Sequence, residues 1–189
     1  MRHAKLMLGL CVVLCSSGFV LGQMAPPAPA KTTGDAVDSI LRIAESEFVG
    51  AADAMPEDKY SFAPSAGEFK GVRTFAEQVK HVAAVNYIFA AAILNEKPPI
   101  DPSEENGPAS IKSKAEIMKF LNDSFTYLHK ALASINDKNK LDELSLFGMK
   151  MSRLSVGTFS TAHPFDHYGQ MVEYLRMNGI IPPASRPQK

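Results

Sequence analysis

Thr74-Phe75-Ala76-Glu77-Gln78-Val79-Lys80-His81-Val82-Ala83 opens the stretch on which the fold turns. Thr74 and Glu77 stand three apart ahead of an apolar run. That is the spacing of a capping box, in which the hydroxyl accepts the amide of the third helical residue and the carboxylate reaches back to the cap amide. From there Phe75, Val79, Val82, Val85, Ile88, Phe89 and Ile93 recur at three-four spacing, which predicts a helix from about Val72, or from Thr74 itself, to Leu94. His81 lies on the stripe Gln78, His81, Val85, Ile88 and is expected to face the core.

Three further stretches share this pattern. The first starts at Thr33 and carries Val37, Ile40, Leu41, Ile43, Ala44 and Phe48 on its apolar face; Thr32 or Thr33 caps it, Asp35 complements the positive end of its dipole, and Met55-Pro56 ends it. The third runs from about Ser110 to Ile135, with Ile117, Met118, Leu121, Phe125, Leu128, Leu132 and Ile135 on one face. The fourth runs from about Met151 to Met177, weakened at Gly157 and Pro164 and closed by Asn178-Gly179 and Pro182-Pro183. Residues 56–71 read as a loop. Asn95 to Pro108 holds four prolines and reads as a long surface connection. Leu141 to Met149 is expected to form a short helical turn. No stretch alternates strictly with period two, so no strand is expected. The predicted fold is all-α: a four-helix bundle over residues 33–183, with long crossover connections permitted after the second and third helices.

Composition bounds what such a bundle can do. The chain has 189 residues, 46% hydrophobic, with 20 basic against 20 acidic side chains. This suits one domain plus a removable segment and excludes wholesale disorder. Zero net charge excludes nucleic acid as a partner, because phosphate binding needs a basic field. Residues 1–22 read as a secretory signal: Arg2, His3 and Lys5 begin it, Leu6 to Leu21 is nearly all apolar, and Val20 and Gly22 suit a cleavage site before Gln23. The alternative is an uncleaved membrane anchor, although the apolar run covers 16 residues and a spanning helix needs about 20. Residues 23–32 form a Pro/Ala-rich tether, and residues 184–189 a loose tail. The expected location is exported, periplasmic or extracellular. Both cysteines lie in the signal segment, so the mature chain forms no disulfide and has no thiol nucleophile.

The histidines carry the chemistry. His163 and His167 are spaced i, i+4, so they leave one helix face about 5–6 Å apart at Cβ, a spacing two imidazoles need to share a metal. They lie on a stripe with Val156, Phe159 and Gln170. Joined by His81 they would make a three-nitrogen site, leaving one coordination position for water or substrate as catalytic zinc does. A purely hydrogen-bonded polar core remains the other reading of the same residues. His129 is expected to be a partly exposed helix histidine. No Glu-x-x-His, His-Glu-x-x-His, Cys-x-x-Cys-His, P-loop or dinucleotide fingerprint occurs, which sets aside ferritin-like, zinc-protease, c-type haem and nucleotide chemistry.

His163-Pro164-Phe165-Asp166-His167-Tyr168-Gly169-Gln170 resembles the His-x-x-x-His-[Arg/Tyr]-Gly-Gln signature of the DinB-like family. The following Glu173-Tyr174-Leu175-Arg176, Gly179 and Pro182-Pro183 are similar to that family's closing pattern, and Thr74 to Ala83 looks like its first ligand region. The resemblance spans about Asp35 to Pro183. It implies a four-helix bundle with a long crossover and a divalent metal, zinc or nickel, held by His81, His163 and His167. Gln170 is a candidate for orienting a ligand or a metal-bound water, or equally for capping a core hydrogen-bond network; Gly169 is a candidate for close helix approach, or for no role of its own. Asp166, about 100° around the helix from each ligand, is expected to stay out of the coordination sphere. Pro164 is tolerated if the helix begins near Thr161 and otherwise kinks it. Two functions remain open: a metal-dependent hydrolase or transferase acting on a small molecule, and a non-catalytic metal-binding or structural bundle. A bundle face is expected to support homodimerisation, and a membrane contact only if the signal segment stays uncleaved.

Overall fold

Three reciprocal capping boxes set three of the helices. In the computed structural model, which describes residues 29–187, α1 (Thr33–Ala54) starts where Thr32 and Asp35 exchange side-chain and backbone bonds, α2 (Phe75–Leu94) where Thr74 and Glu77 do, and α3 (Lys114–Ala133) where Ser113 and Glu116 do. Each such cap is worth about 1 kcal/mol. Ser152 alone accepts the Ser155 amide at the start of α4 (Arg153–Met177). The expected stop at Asn178-Gly179 is present: Gly179 takes φ +74°, and the Ile180 amide returns to the Leu175 carbonyl. The signal segment, most of the tether and the last two residues of the tail lie outside the described residues. No helix of the described residues is long and apolar enough to cross a membrane.

α1 packs on α3 and α4, and α2 packs on the same two, so α1 and α2 face each other across a diagonal, as do α3 and α4. Contacts at the ends give the directions. The Gly34 amide donates to the Ile135 carbonyl while Lys114 reaches the carbonyls of Asp53 and Met55, so α1 and α3 are antiparallel. Tyr174 donates to the Arg73 carbonyl, and Arg153 to that of Ile93, so α2 and α4 are antiparallel too. The order is up-down-down-up. α1 joins α2 diagonally across one end. α3 joins α4 diagonally across the other. The segment from Asn95 to Ser113 must return the length of the bundle, because α2 and α3 run the same way. Both connections expected to be long are so, the one after α1 is long as well, and the diagonal ones follow α1 and α3.

The α3–α4 connection also holds a departure from the all-helical expectation. β1 (Glu143–Leu146) and β2 (Met149–Ser152) pair antiparallel, with Leu146 opposite Met149. Residues 141–149 are not a helical turn. Phe147 and Gly148 both take positive φ, +50° and +75°, the two-residue turn that matches strand twist. Four-residue strands offer too little alternation to register as a pattern. Helix starts also sit inside their predicted limits, at Lys114 rather than Ser110 and at Arg153 rather than Met151. α4 runs unbroken through Pro164, which lies mid-helix and buried, and not in a first turn.

Phe48, Phe75, Phe89 and Phe125 fill the core with Leu41, Leu121, Leu128 and Leu132, all fully buried. Ile40 and Ile43 of the predicted α1 face are about half exposed instead. Small residues set the helix spacing. A Cβ on Gly34 would sit 2.2 Å from the Leu132 carbonyl oxygen, and one on Gly157 2.8 Å from Ile135 Cδ1. Gly169 meets nothing within 4 Å and is exposed, so it is not the close-approach glycine.

Gly34→Ala is expected to cost about 1–3 kcal/mol, because backbone must move to admit the methyl. Gly169→Ala should gain about 1 kcal/mol through helix propensity alone. Urea unfolding of both variants checks the pair; equal effects would refute the packing of α1 on α3.

Candidate metal centre

α2 and α4 run antiparallel, and their facing stripes bring His81, His163 and His167 together. Ring centroids are 5.2 Å apart for His81–His163, 4.8 Å for His81–His167 and 4.6 Å for His163–His167. One ring nitrogen from each lies within 4.8 Å of the other two. Among the described residues this is the one grouping of three or more such ligands. His81 is 8% and His167 7% exposed; His163 is somewhat more open.

The hydrogen bonds decide which nitrogens face inward. The His81 Nδ1–H donates to the Glu105 carbonyl at 2.7 Å. The His167 Nδ1–H donates to Gln78 Oε1, also at 2.7 Å. Both acceptors are oxygens that cannot donate, so Nδ1 carries the proton and the neutral rings turn an Nε2 lone pair toward the cluster. His163 Nε2 stands 3.3 Å from His81 Nε2, and His163 Nδ1 is buried without a hydrogen-bond partner. That separation is long for an N–H donor bond. It matches the edge of a tetrahedron with about 2.0–2.1 Å metal–nitrogen bonds, about 3.3–3.4 Å. The donor set therefore fits zinc or a similar divalent ion.

Electrostatics agree. Burial drives the His163 ring down to about 3 and His167 to about 4, with the neighbouring rings adding to the effect. Burial lowers His81 as well, against the opposing Glu105 carbonyl. The Arg73 guanidinium lowers all three. At neutral pH the three rings are uncharged, the state in which imidazole ligates.

Gln170 does not touch the histidines. It is exposed; its Oε1 accepts from Gln78 Nε2 at 2.8 Å, and its Nε2 donates to Asp166 Oδ2 at 3.2 Å. It holds Gln78, and Gln78 holds His167. Gln78, 2% exposed, was visible on the His81 stripe, but no local signal pairs it with a ring on another helix. The Glu105 carbonyl carried no signal, being backbone. Asp166 is exposed and turned to Gln170. Beside His163 a chain of aromatic edges runs outward: Phe89 meets His163 at 5.8 Å, Phe159 at 5.2 Å and Phe147 at 6.1 Å. Phe159 and Phe147 remain 39% and 56% exposed. A cavity of about 340 Å³ lies at the other end of the α4 stripe, lined by Gly71, Val72, Arg73, Gln78, Asn106 and Gln170. The larger hollow of about 590 Å³ at the start of α1 holds no histidine.

His129 stands apart, between α1 and α3. It is not a loose surface histidine: Nδ1 pairs with Asp38, Nε2 with Glu45 at 2.9 Å, and the side chain is 17% exposed. Arg42 braces Asp38 at 2.8 Å.

A model of the DinB superfamily matches residues 40–171. No curated protein sequence matches the chain. Three solved structures share the fold. A DinB-like protein from Bacillus cereus ATCC 10987 aligns with TM-score 0.62 at 17% identity, covering 77% of this chain and 95% of its own. A DinB-like protein (yjoa) from Bacillus subtilis aligns with TM-score 0.62 at 16% identity, covering 80% and 99%. YfiT from Bacillus subtilis, described as "a probable metal-dependent hydrolase with an unusual four-helix bundle topology", aligns with TM-score 0.55 at 15% identity, covering 82% and 93%.

Hydrogen bonding to Glu45, and then to Asp38, raises His129 above its ordinary value against the opposing effect of burial. A raised folded value means the bridge stabilises fully below the unfolded pKa, about 6.5, and its contribution fades as pH rises through the folded value. His129→Gln should cost about 2 kcal/mol at pH 6 and clearly less at pH 9. Urea unfolding at the two pH values reads this, and a cost independent of pH would show that the ring is not charged in the folded state.

Proposed function

The chain belongs to the DinB superfamily, and we propose that it is an exported protein holding a divalent metal, zinc or nickel, on His81, His163 and His167, and that it hydrolyses or transfers a group on a small molecule. The observation that carries this reading is the convergence of one nitrogen from each ring, with two rings turned by their Nδ1 bonds to Glu105 and Gln78. When bound, such a metal polarises a substrate oxygen and makes water acidic enough to ionise near neutral pH. The chain's own residues hold the rest of the site in place. The bonds from Glu105 and Gln78 fix tautomer and ring angle. Burial keeps the rings neutral. Phe89, fully buried against His163, excludes water from the inner side. Three protein nitrogens leave room for water or substrate.

The description of YfiT as a probable metal-dependent hydrolase supports the reaction class. Export rests on the character of residues 1–22, and the balance of 20 basic against 20 acidic residues argues against nucleic acid. A bundle face serves homodimerisation in this reading. A second reading, a non-catalytic metal clip, is favoured by the near-complete burial of His81 and His167. Substrate profiling of the metal-loaded protein separates the two; metal affinity does not.

Protein purified without a histidine tag should carry about one zinc or nickel per chain. His163→Ala should abolish that binding with the helical content kept. Gln78→Leu should weaken it by about 10–100-fold, the usual effect of losing a partner that orients a ligand. A protein free of metal, whose melting temperature ignores added zinc and nickel, would end the proposal.

A further inference from the structure

Arg73 brings a guanidinium close to the ring cluster: it lines the same cavity as Gln78, whose Oε1 holds His167. Nothing buried neutralises it. Its Nη2 is 3.5 Å from Glu105 Oε2, a carboxylate 68% exposed, which screens poorly. Its firm bond is from Nε to Asn106 Oδ1, at 2.7 Å.

That bond has two effects. It commits the oxygen end of Asn106, so the amide's Nδ2 donors have no partner among the described residues. It also leaves most of the guanidinium's five donors uncommitted. Both side chains line the 340 Å³ cavity between the start of α2, the crossover and α4. Two cavity walls lead directly to the histidines: Gln78 bonds His167, and Glu105, next to Asn106, bonds His81. The cavity thus offers donors and positive charge near the ring cluster; the carboxylates at its edge are Glu105, exposed and 3.5 Å from Arg73, and Asp166, which holds Gln170 Nε2, while Gln170 Oε1 is taken by Gln78.

We propose that this cavity is the anion subsite of the histidine cluster, in which Arg73 and Asn106 hold the carboxylate or phosphate of a small anionic substrate. The inference deepens the metal-dependent reading and rests on it for what happens at the other end of the ligand. A planar guanidinium suits either anion, since both present paired oxygens to its fork. Arg73 acts as a binding residue and as a pin for the crossover; only the first role depends on ligand charge.

The test uses the full chain, nickel-loaded and metal-free, titrated calorimetrically with benzoate, phenyl phosphate and neutral benzyl alcohol. At least one of the two anions should bind saturably in both states, with benzyl alcohol about tenfold weaker or more. Which anion wins identifies the substrate's group. Arg73→Met should remove that preference while nickel affinity stays equal or rises. Arg73→Lys, which keeps the charge and guards against a folding defect in the methionine variant, should recover part of it. Anions bound no better than benzyl alcohol, or bound equally by Arg73→Met with an unchanged melting temperature, would overturn the subsite. Nickel binding without anion preference would sink this inference and leave the metal reading standing. Anion preference without nickel binding would do the reverse.

Discussion

The hydrogen bond from His81 Nδ1 to the Glu105 carbonyl joins the topology of the bundle to its chemistry. Its acceptor is backbone, so it is supplied by the path of the chain. That path follows from the helix directions: with α2 and α3 parallel, the Asn95–Ser113 segment must travel the bundle's length and cross His81 on the way. Gly107 lets it lie close. A Cβ there would come within 2.9 Å of Lys80 Cβ, and its φ of +70° suits glycine. Move the crossover outward, and His81 loses the partner that fixes its tautomer.

His167 is oriented by different means. Asp166 accepts from Gln170, Gln170 accepts from Gln78, and Gln78 accepts from the ring. Each amide in such a chain has one orientation that satisfies both neighbours. Reversing Gln78 would place an NH₂ against Nδ1 and an oxygen against the oxygen of Gln170. The carboxylate at the exposed end therefore sets the direction of every donor down to the ring, and the i, i+4 spacing of Asp166 and Gln170 on α4 keeps that end in reach. The two supports arrive from opposite sides, one from a loop and one from side chains on α2 and α4. Loss of either leaves a buried nitrogen to be paid for in desolvation.

What could be read in the sequence was local. Thr74–Glu77 marked a helix start because both partners of a capping box lie within one turn. His163–His167 read as a pair because four residues return a helix to the same face. His81 read as inward for the same reason. That α2 and α4 are neighbours is a property of the connections and not of either stripe; the DinB-like resemblance supplied it. Gln170 lies on the expected stripe, and of its two readings the geometry shows the hydrogen-bond network, reached through Gln78 of another helix. The hairpin went unseen because Phe147-Gly148 lacks the Asn or Asp that usually announces such a turn. Gly169 stands in the signature but meets nothing, whereas the close helix approaches are Gly34 and Gly157, on backbone and side chains that pattern does not locate.

The four described histidines show why residue type does not settle chemistry. His129 lies between two carboxylates from α1, which raise it above its ordinary value and occupy both its nitrogens, so neither is left to ligate. The other three accept no such company: His81 and His167 bond a carbonyl and an amide oxygen, and His163 Nδ1 has no partner. An amide or carbonyl oxygen accepts one proton from a neutral ring without supplying the full charge that would favour a second. What sets His129 apart is that a carboxylate takes each of its two nitrogens, whereas His81 and His167 give only Nδ1 to an oxygen and keep Nε2 for the cluster. The bundle thus separates a carboxylate-bound histidine at the α1–α3 seam from a nitrogen donor set at the α2–α4 seam. It does so by whether one or both ring nitrogens meet an oxygen.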